Sequence, residues 1–158
     1  MQLGPTLDFM RLVWELDHEL HARSKQMETA VGVSGMQRLV VRLVGRSPGV
    51  SAGELAGLLH VHPSTLTGVL ARLEERGYLH RTRDPQDGRR ARLQLTEQGK
   101  SLNRSRAGTV EAAVSDAIEA MPPEDIAAAG RVLRAIAQGL RDGAAADTPP
   151  RSRAGARD

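Results

Sequence analysis

Two short stretches near the middle of the chain place apolar residues at helical spacing, and the stretches beside them alternate as strands do. Leu55, Leu58 and Leu59 follow Ser51, and Leu66, Val69, Leu70 and Leu73 follow His62-Pro63 at i, i+3, i+4 and i+7. Ser51 with Glu54 three residues later is the pattern of a capping box. Pro63 suits a first helical position, where its missing N–H would be unpaired anyway. The gap of about three residues between the two patterns forces a sharp helix crossing. Gly77 is placed to end the second helix in a left-handed conformation. Tyr78 to Arg83 and Arg89 to Leu95 then read as strands, with Ala91, Leu93 and Leu95 facing a core and Asp84-Pro85-Gln86-Asp87-Gly88 supplying the turn. Helix, tight turn, helix and hairpin in this order predict a winged helix-turn-helix over residues 50–96.

The flanks are helical. Leu7 to about Glu28 carries apolar residues at 7, 10 and 14 and again at 9, 12, 13, 16 and 20, a stripe too wide for one contact. Met36, Leu39, Val40, Leu43 and Val44 form a second helix, ending near Gly45 before the Ser47-Pro48-Gly49 turn. Thr96 is the expected cap of one long helix from Glu97 to about Ala120, and Pro122-Pro123-Glu124-Asp125 opens the last. In that last helix Ile126, Ala129, Leu133, Ile136 and Leu140 repeat at 3, 4, 3, 4, the seam of a helix pairing with another helix. The fold expected is mainly α with a small β-hairpin wing, in which a winged helix-turn-helix is flanked by N- and C-terminal dimerisation helices. Residues 1–141 form one domain, with about 7–46 and 97–141 as the dimerisation region. Residues 142–158, rich in alanine, proline and polar side chains, cannot bury enough apolar surface to order themselves and are expected to be a disordered tail.

Charge sharpens the picture in one place. The 158 residues carry 22 basic and 19 acidic side chains, a net charge of +3, and no third of the chain is strongly basic. Between positions 81 and 92, however, arginines at 81, 83, 89, 90 and 92 face only Asp84 and Asp87. A hairpin tip of that charge suits phosphate and minor-groove contact. On the second helix of the pair, Ser64, Thr65, Thr67 and Gly68 lie opposite the apolar stripe and are small, as entry into a groove about 12 Å wide requires. The candidate DNA contacts are therefore Ser51, His62, Ser64, Thr65, Thr67, Gly68 and Arg72, with Arg81, Arg83, Arg89 and Arg90 on the wing.

These residues resemble the MarR (multiple antibiotic resistance regulator) transcription factors. The likeness rests on ELA-x-x-L at Glu54 to Leu59, ST-x-T at Ser64 to Thr67, RLEERGYL at Arg72 to Leu79, D-x-R at Asp87-Gly88-Arg89 and LTEQGK at Leu95 to Lys100, and covers roughly residues 8–142. It implies a winged-helix homodimer that represses or activates genes at a palindromic site on double-stranded DNA, in which Asp87 orients Arg89. It also implies release by a small aromatic or phenolic effector between the dimerisation helices and the winged lobe, where Trp14, His18 and Arg38 or Arg42 are candidate wall residues. The chain departs from the family pattern at Pro63 and Gly68, where many relatives carry basic residues. Without an arginine at 68 one candidate for bidentate guanine readout is missing, so hydroxyls and DNA shape have to carry more of the recognition.

Other chemistries are less supported. The absence of cysteine excludes disulfides, thiolate metal sites and thiol-based sensing. His18 and His21 stand at i, i+3 beside Glu15 and Asp17, but a pair of histidines with no third strong ligand is more often solvated than metal-bound. His60 and His62 flank the bend between the paired helices, where capping or phosphate contact suits them better than catalysis. No nucleophile elbow, phosphate loop or zinc-protease motif occurs, so neither an enzyme nor a cofactor is expected. With no signal peptide and no run near the ~20 apolar residues of a membrane span, a cytoplasmic location is expected. The expected function is a dimeric, sequence-specific transcriptional regulator, a repressor in the first instance. A metal-responsive regulator and a winged-helix interaction module without DNA binding are the alternatives.

Overall fold

Local signals set where the helices begin and end. The computed structural model describes residues 3–83 and 91–146. Helix α1 spans Pro5–Val31, with proline in its first turn, and stops where Gly32 turns left-handed at φ 83° and its N–H reaches the Glu28 carbonyl. Helix α2, Gly35–Arg46, starts with a capping box that its apolar pattern alone does not announce: Ser34 Oγ accepts from the Gln37 N–H, and Gln37 Oε1 accepts from the Ser34 N–H at 3.0 Å. Helix α3, Ala52–Leu59, has the expected box, with the Glu54 N–H donating to Ser51 Oγ at 3.2 Å and the Ser51 N–H to Glu54 Oε2 at 2.8 Å. It ends at His60, which adopts φ 50° to make the tight bend, and α4 follows over Pro63–Glu75. Gly77, at φ 70°, then sends the chain into β1, Leu79–Arg83.

Strand β1 pairs antiparallel with β2, Ala91–Leu95, in the register Leu79↔Leu95, Arg81↔Leu93 and Arg83↔Ala91. The segment expected to be a plain turn also joins the sheet, because Gly49 donates to the Leu93 carbonyl and Leu93 to the Val50 carbonyl, at 2.9 and 3.0 Å. Leu93 is buried as expected, but Ala91 is exposed. At Arg83↔Ala91 the hairpin has already passed the edge of the core, so alternation no longer implies burial.

The chain falls into two compact units, Met1–Val114 and Ser115–Asp158. The core of the first is one cluster: Val33, Val40, Val41, Val44, Leu55, Ala56, Leu66, Leu70, Leu73, Leu79, Leu93 and Leu102. At about 1.5–3 kcal/mol for each large aliphatic side chain, this cluster is the main favourable term of the unit. Helix α2 is its hub, packing against α1, α4, α5 and β2.

The expected long helix after Thr96 is instead two. Helix α5 covers Glu97–Arg104 and α6 Val110–Glu119. Gly108 sits at φ 72°, and Thr109, fully buried, accepts the Ala112 N–H on its hydroxyl at 3.3 Å as a new helix start. The carbonyls at the end of α5 are held by Arg38, whose guanidinium donates to Leu102 O, Asn103 O and Ser105 O. The second unit contains α7, Pro123–Ala146, which continues past residue 142, where the tail was expected to begin. Residues 147–158 lie outside the described part. Along α7 the 3, 4 seam is solvent-facing, with Leu133 48% and Leu140 72% exposed. On α1, Leu7, Leu12, Trp14 and Leu16 are likewise more than half exposed, while Met27 is buried.

Gly99 in α5 lies so close to the Tyr78 carbonyl that an added Cβ would run into that backbone oxygen. Gly99→Ala is therefore expected to destabilise the protein by about 1–3 kcal/mol, lowering the thermal midpoint by several degrees. An unchanged melting curve would contradict this packing.

Candidate nucleic-acid interface

Helix α4 is two-faced. Leu66, Leu70 and Leu73 are at most 1% exposed, whereas Ser64, Thr65, Thr67, Gly68 and Arg72 face solvent and Ala71 is half-buried. Histidine is not among the strongly favoured N-cap residues, yet His62 caps this helix: its Nδ1 accepts from the Ser64 N–H at 3.3 Å and lies 2.7 Å from Ser64 Oγ. An Nδ1 that accepts an N–H leaves the proton of the neutral ring on Nε2, an outward donor at the head of the helix.

The three hydroxyls of the exposed face are not equivalent. Thr67 donates to the Pro63 carbonyl at 2.8 Å, which leaves its oxygen as an acceptor. Ser64 is tied to His62. Among the described residues Thr65 has no hydrogen bond to its hydroxyl, so it alone can both donate to and accept from an incoming group. Ser51, the other hydroxyl expected at the DNA, is engaged in both directions with Glu54, accepting its N–H and donating to Oε2 at 2.8 Å.

The arginines also divide. Arg81 shares a sheet face with Leu93, which turns it toward α4, where its Nε donates to Glu74 at 2.8 Å. That pair ties the wing to the helix it flanks. Glu74 was missed in the sequence, although an acid at the end of one element seven residues before a base in the next is a legible pairing. Arg83 is exposed and makes no hydrogen bond among the described residues. Asp87, Arg89 and Arg90 lie outside the described residues. Arg72 lines a cavity of about 360 Å³ with Glu28, Ser34, Gln37, Glu75 and Arg76, at the end of α4 nearest the α1–α2 junction.

The residues considered for an effector differ in their surroundings. Trp14 is 62% exposed on α1, not a core residue, and His18 is exposed with no hydrogen bond among the described residues. Arg38 is buried to 1% exposure with its donors on α5 carbonyls and Glu111. Arg42 donates to Asn103 O and Oδ1 at 2.9 and 3.0 Å. His21 Nδ1 lies against Asp17, 2.8 Å from its carbonyl and 3.2 Å from Oδ1. Among the described residues no group of three or more His, Asp or Glu side chains is placed to hold a metal ion, and no helix is long and apolar enough to cross a membrane.

Residues 35–91, which run from the start of α2 through the first residue of β2, match the model of the MarR family. Over this segment the chain is similar to the MarR family. It is 36% identical over 66 residues to the HTH-type transcriptional regulator TtmR of Methylorubrum extorquens, covering 42% of this chain and 34% of that protein. It is 31% identical over 83 residues to the HTH-type transcriptional repressor Mb2911 of Mycobacterium bovis, covering 52% and 60%. The match thus spans about a third of one relative and three-fifths of the other. Among solved structures, Streptococcus pneumoniae FabT in complex with DNA superposes with a TM-score of 0.64 at 27% identity, covering 87% of this chain and 97% of that one. The family and these relatives are transcriptional regulators, not enzymes.

Gly68 stands mid-helix with nothing within 4 Å of where a Cβ would be. Gly68→Ala is expected to stabilise the fold by about 0.5–1 kcal/mol, because glycine in a helix interior carries that entropic cost. Denaturant unfolding would show it as a higher midpoint at unchanged slope. A lower midpoint would mean the backbone at 68 is not relaxed helix.

Proposed function

We propose that the protein is a sequence-specific DNA-binding transcriptional regulator, acting as a repressor, that binds a palindromic site as a homodimer. The observation that supports this most is α4: one face locked into the core by three leucines, the opposite face small, polar and unobstructed from Ser64 to Gly68. Such a helix can enter a major groove, with Thr65 as the free reading hydroxyl and Thr67 as an acceptor. The wing, held to α4 through Glu74–Arg81, brings Arg83 to the phosphates, and from the sequence Arg89 and Arg90 are proposed as further phosphate contacts. FabT in complex with DNA and the repressor Mb2911 support the same reading.

The dimer rests on apolar surface. Trp14, Leu16 and their neighbours on α1, and Leu133, Ile136 and Leu140 on α7, expose large side chains in runs that a soluble monomer rarely tolerates. Two-fold pairing places two reading helices about 34–36 Å apart, so the site has two half-sites about one turn apart. A small aromatic or phenolic effector that favoured a dimer of the wrong head spacing would release it, and only in proportion to its preference for that state. A cytoplasmic location accompanies this function.

Selection from random DNA is expected to enrich a palindrome, and light scattering at micromolar concentration to give twice the chain mass. A monomer that enriches no sequence would refute the proposal. With the selected duplex, Arg89→Ala is expected to weaken binding and to make the slope of log affinity against log salt shallower by about 1, the loss of one phosphate contact. Unchanged affinity at every salt concentration would remove the wing from the interface.

A further inference from the structure

Arg38 is the most deeply buried charged side chain described, and nothing in DNA recognition requires it. Its Nε lies 2.5 Å from Glu111 Oε1 on α6, and its two terminal nitrogens cover the carbonyls of Leu102, Asn103 and Ser105 at the end of α5. Arg42, one turn on along α2, holds Asn103 and lies 3.9 Å from the same Glu111 oxygen. One helix of the winged core therefore grips both sides of the α5–α6 joint. Gly108 in the left-handed region and the buried Thr109 cap give that joint a defined shape.

We propose that Arg38, assisted by Arg42 and Glu111, is a positioning residue that sets the angle of the α5–α6 joint and through it the spacing of DNA half-sites the protein accepts. This rests on the two-headed reading given above. The guanidinium fork is what the role needs, since its several donors, fixed in one plane, reach three carbonyls and a carboxylate at once, which a lysine ammonium cannot. The geometry is sensitive enough to matter. A ten-residue helix such as α6 is about 15 Å long, so a change of about 10° at its start moves its far end by about 2.6 Å, close to the ~3.4 Å rise of one base pair.

The test uses the full chain and a series of duplexes in which the selected half-sites are separated by stepwise insertions and deletions of one base pair. Two variants are compared with the wild type: Arg38→Lys, which keeps the charge, and Glu111→Gln, whose side chain is a third exposed and whose loss leaves the carbonyl contacts in place. For each folded variant the optimum spacing is expected to shift by a base pair or more, or the profile to flatten. Affinity at the wild-type optimum should fall on the order of tenfold, while affinity for a single half-site stays the same. If Arg38→Lys does not fold, Glu111→Gln carries the test. A wild-type spacing profile in every folded variant overturns the proposal and leaves the two-headed reading intact. A wild type with no preferred spacing overturns that reading, and this proposal with it.

Discussion

Leu66, Leu70 and Leu73 of α4 pack into the same buried cluster as Val40, Val41 and Val44 of α2, and every exposed feature of α4 depends on that contact. These six side chains contribute about 9–18 kcal/mol of gross burial at the usual value for each. The His62 cap adds about 1 kcal/mol, and the half-exposed Glu74–Arg81 pair at most about that much. Packing therefore decides which way α4 faces, while the cap and the ion pair adjust its first turn and the wing. Substitutions on the polar face can change recognition without threatening the fold, because that face contributes almost none of the burial.

The same helix α2 serves two ends of the winged unit. Its valines hold α4, and one turn away its arginines hold the close of α5 and the start of α6. A buried arginine is costly to desolvate, and removing any one partner would leave charge or carbonyls unsatisfied. With Glu111 and three carbonyls around Arg38, no buried polar side-chain atom among the described residues is left without a partner. The arrangement adds less to stability than well-packed apolar residues would, and what it supplies is a fixed geometry at the joint.

What was legible in the sequence were features caused by neighbours in the sequence. Ser51 and Glu54 are three apart and announce their capping box; the leucines of α4 announce their stripe; Gly77 announces its turn. The break between α5 and α6 is hard to see in the sequence, because Arg38, which holds the carbonyls at the end of α5, lies more than sixty residues upstream and looks from the sequence like any solvent-facing or ligand-binding arginine. A local hint existed in Gly108-Thr109, a helix breaker followed by a capping residue, but helical periodicity on both sides outweighed it. Ala91 was assigned to the core by alternation, which describes a strand's two faces and says nothing of where the core ends.

The candidate site shows the same division. The sequence placed Ser64, Thr65 and Thr67 on one face but treated their hydroxyls as equivalent. The structure separates them by what each is already bonded to: a ring nitrogen for Ser64, a carbonyl for Thr67, and nothing described for Thr65. Internal commitment decides chemical role here, since a hydroxyl whose hydrogen is held by a helix carbonyl can only accept from a base edge. Combined with glycine at 68 and an arginine at 81 turned inward to Glu74, this leaves a recognition surface poor in charged donors. In the DNA-bound state proposed above, sequence discrimination would then come from hydroxyl geometry, close approach and DNA shape, and affinity from phosphate contacts outside the groove. In the homodimer proposed above, the relative placement of two heads would carry more of the specificity than any single base contact, and the geometry of the α5–α6 joint would then bear on recognition alongside the residues of α4.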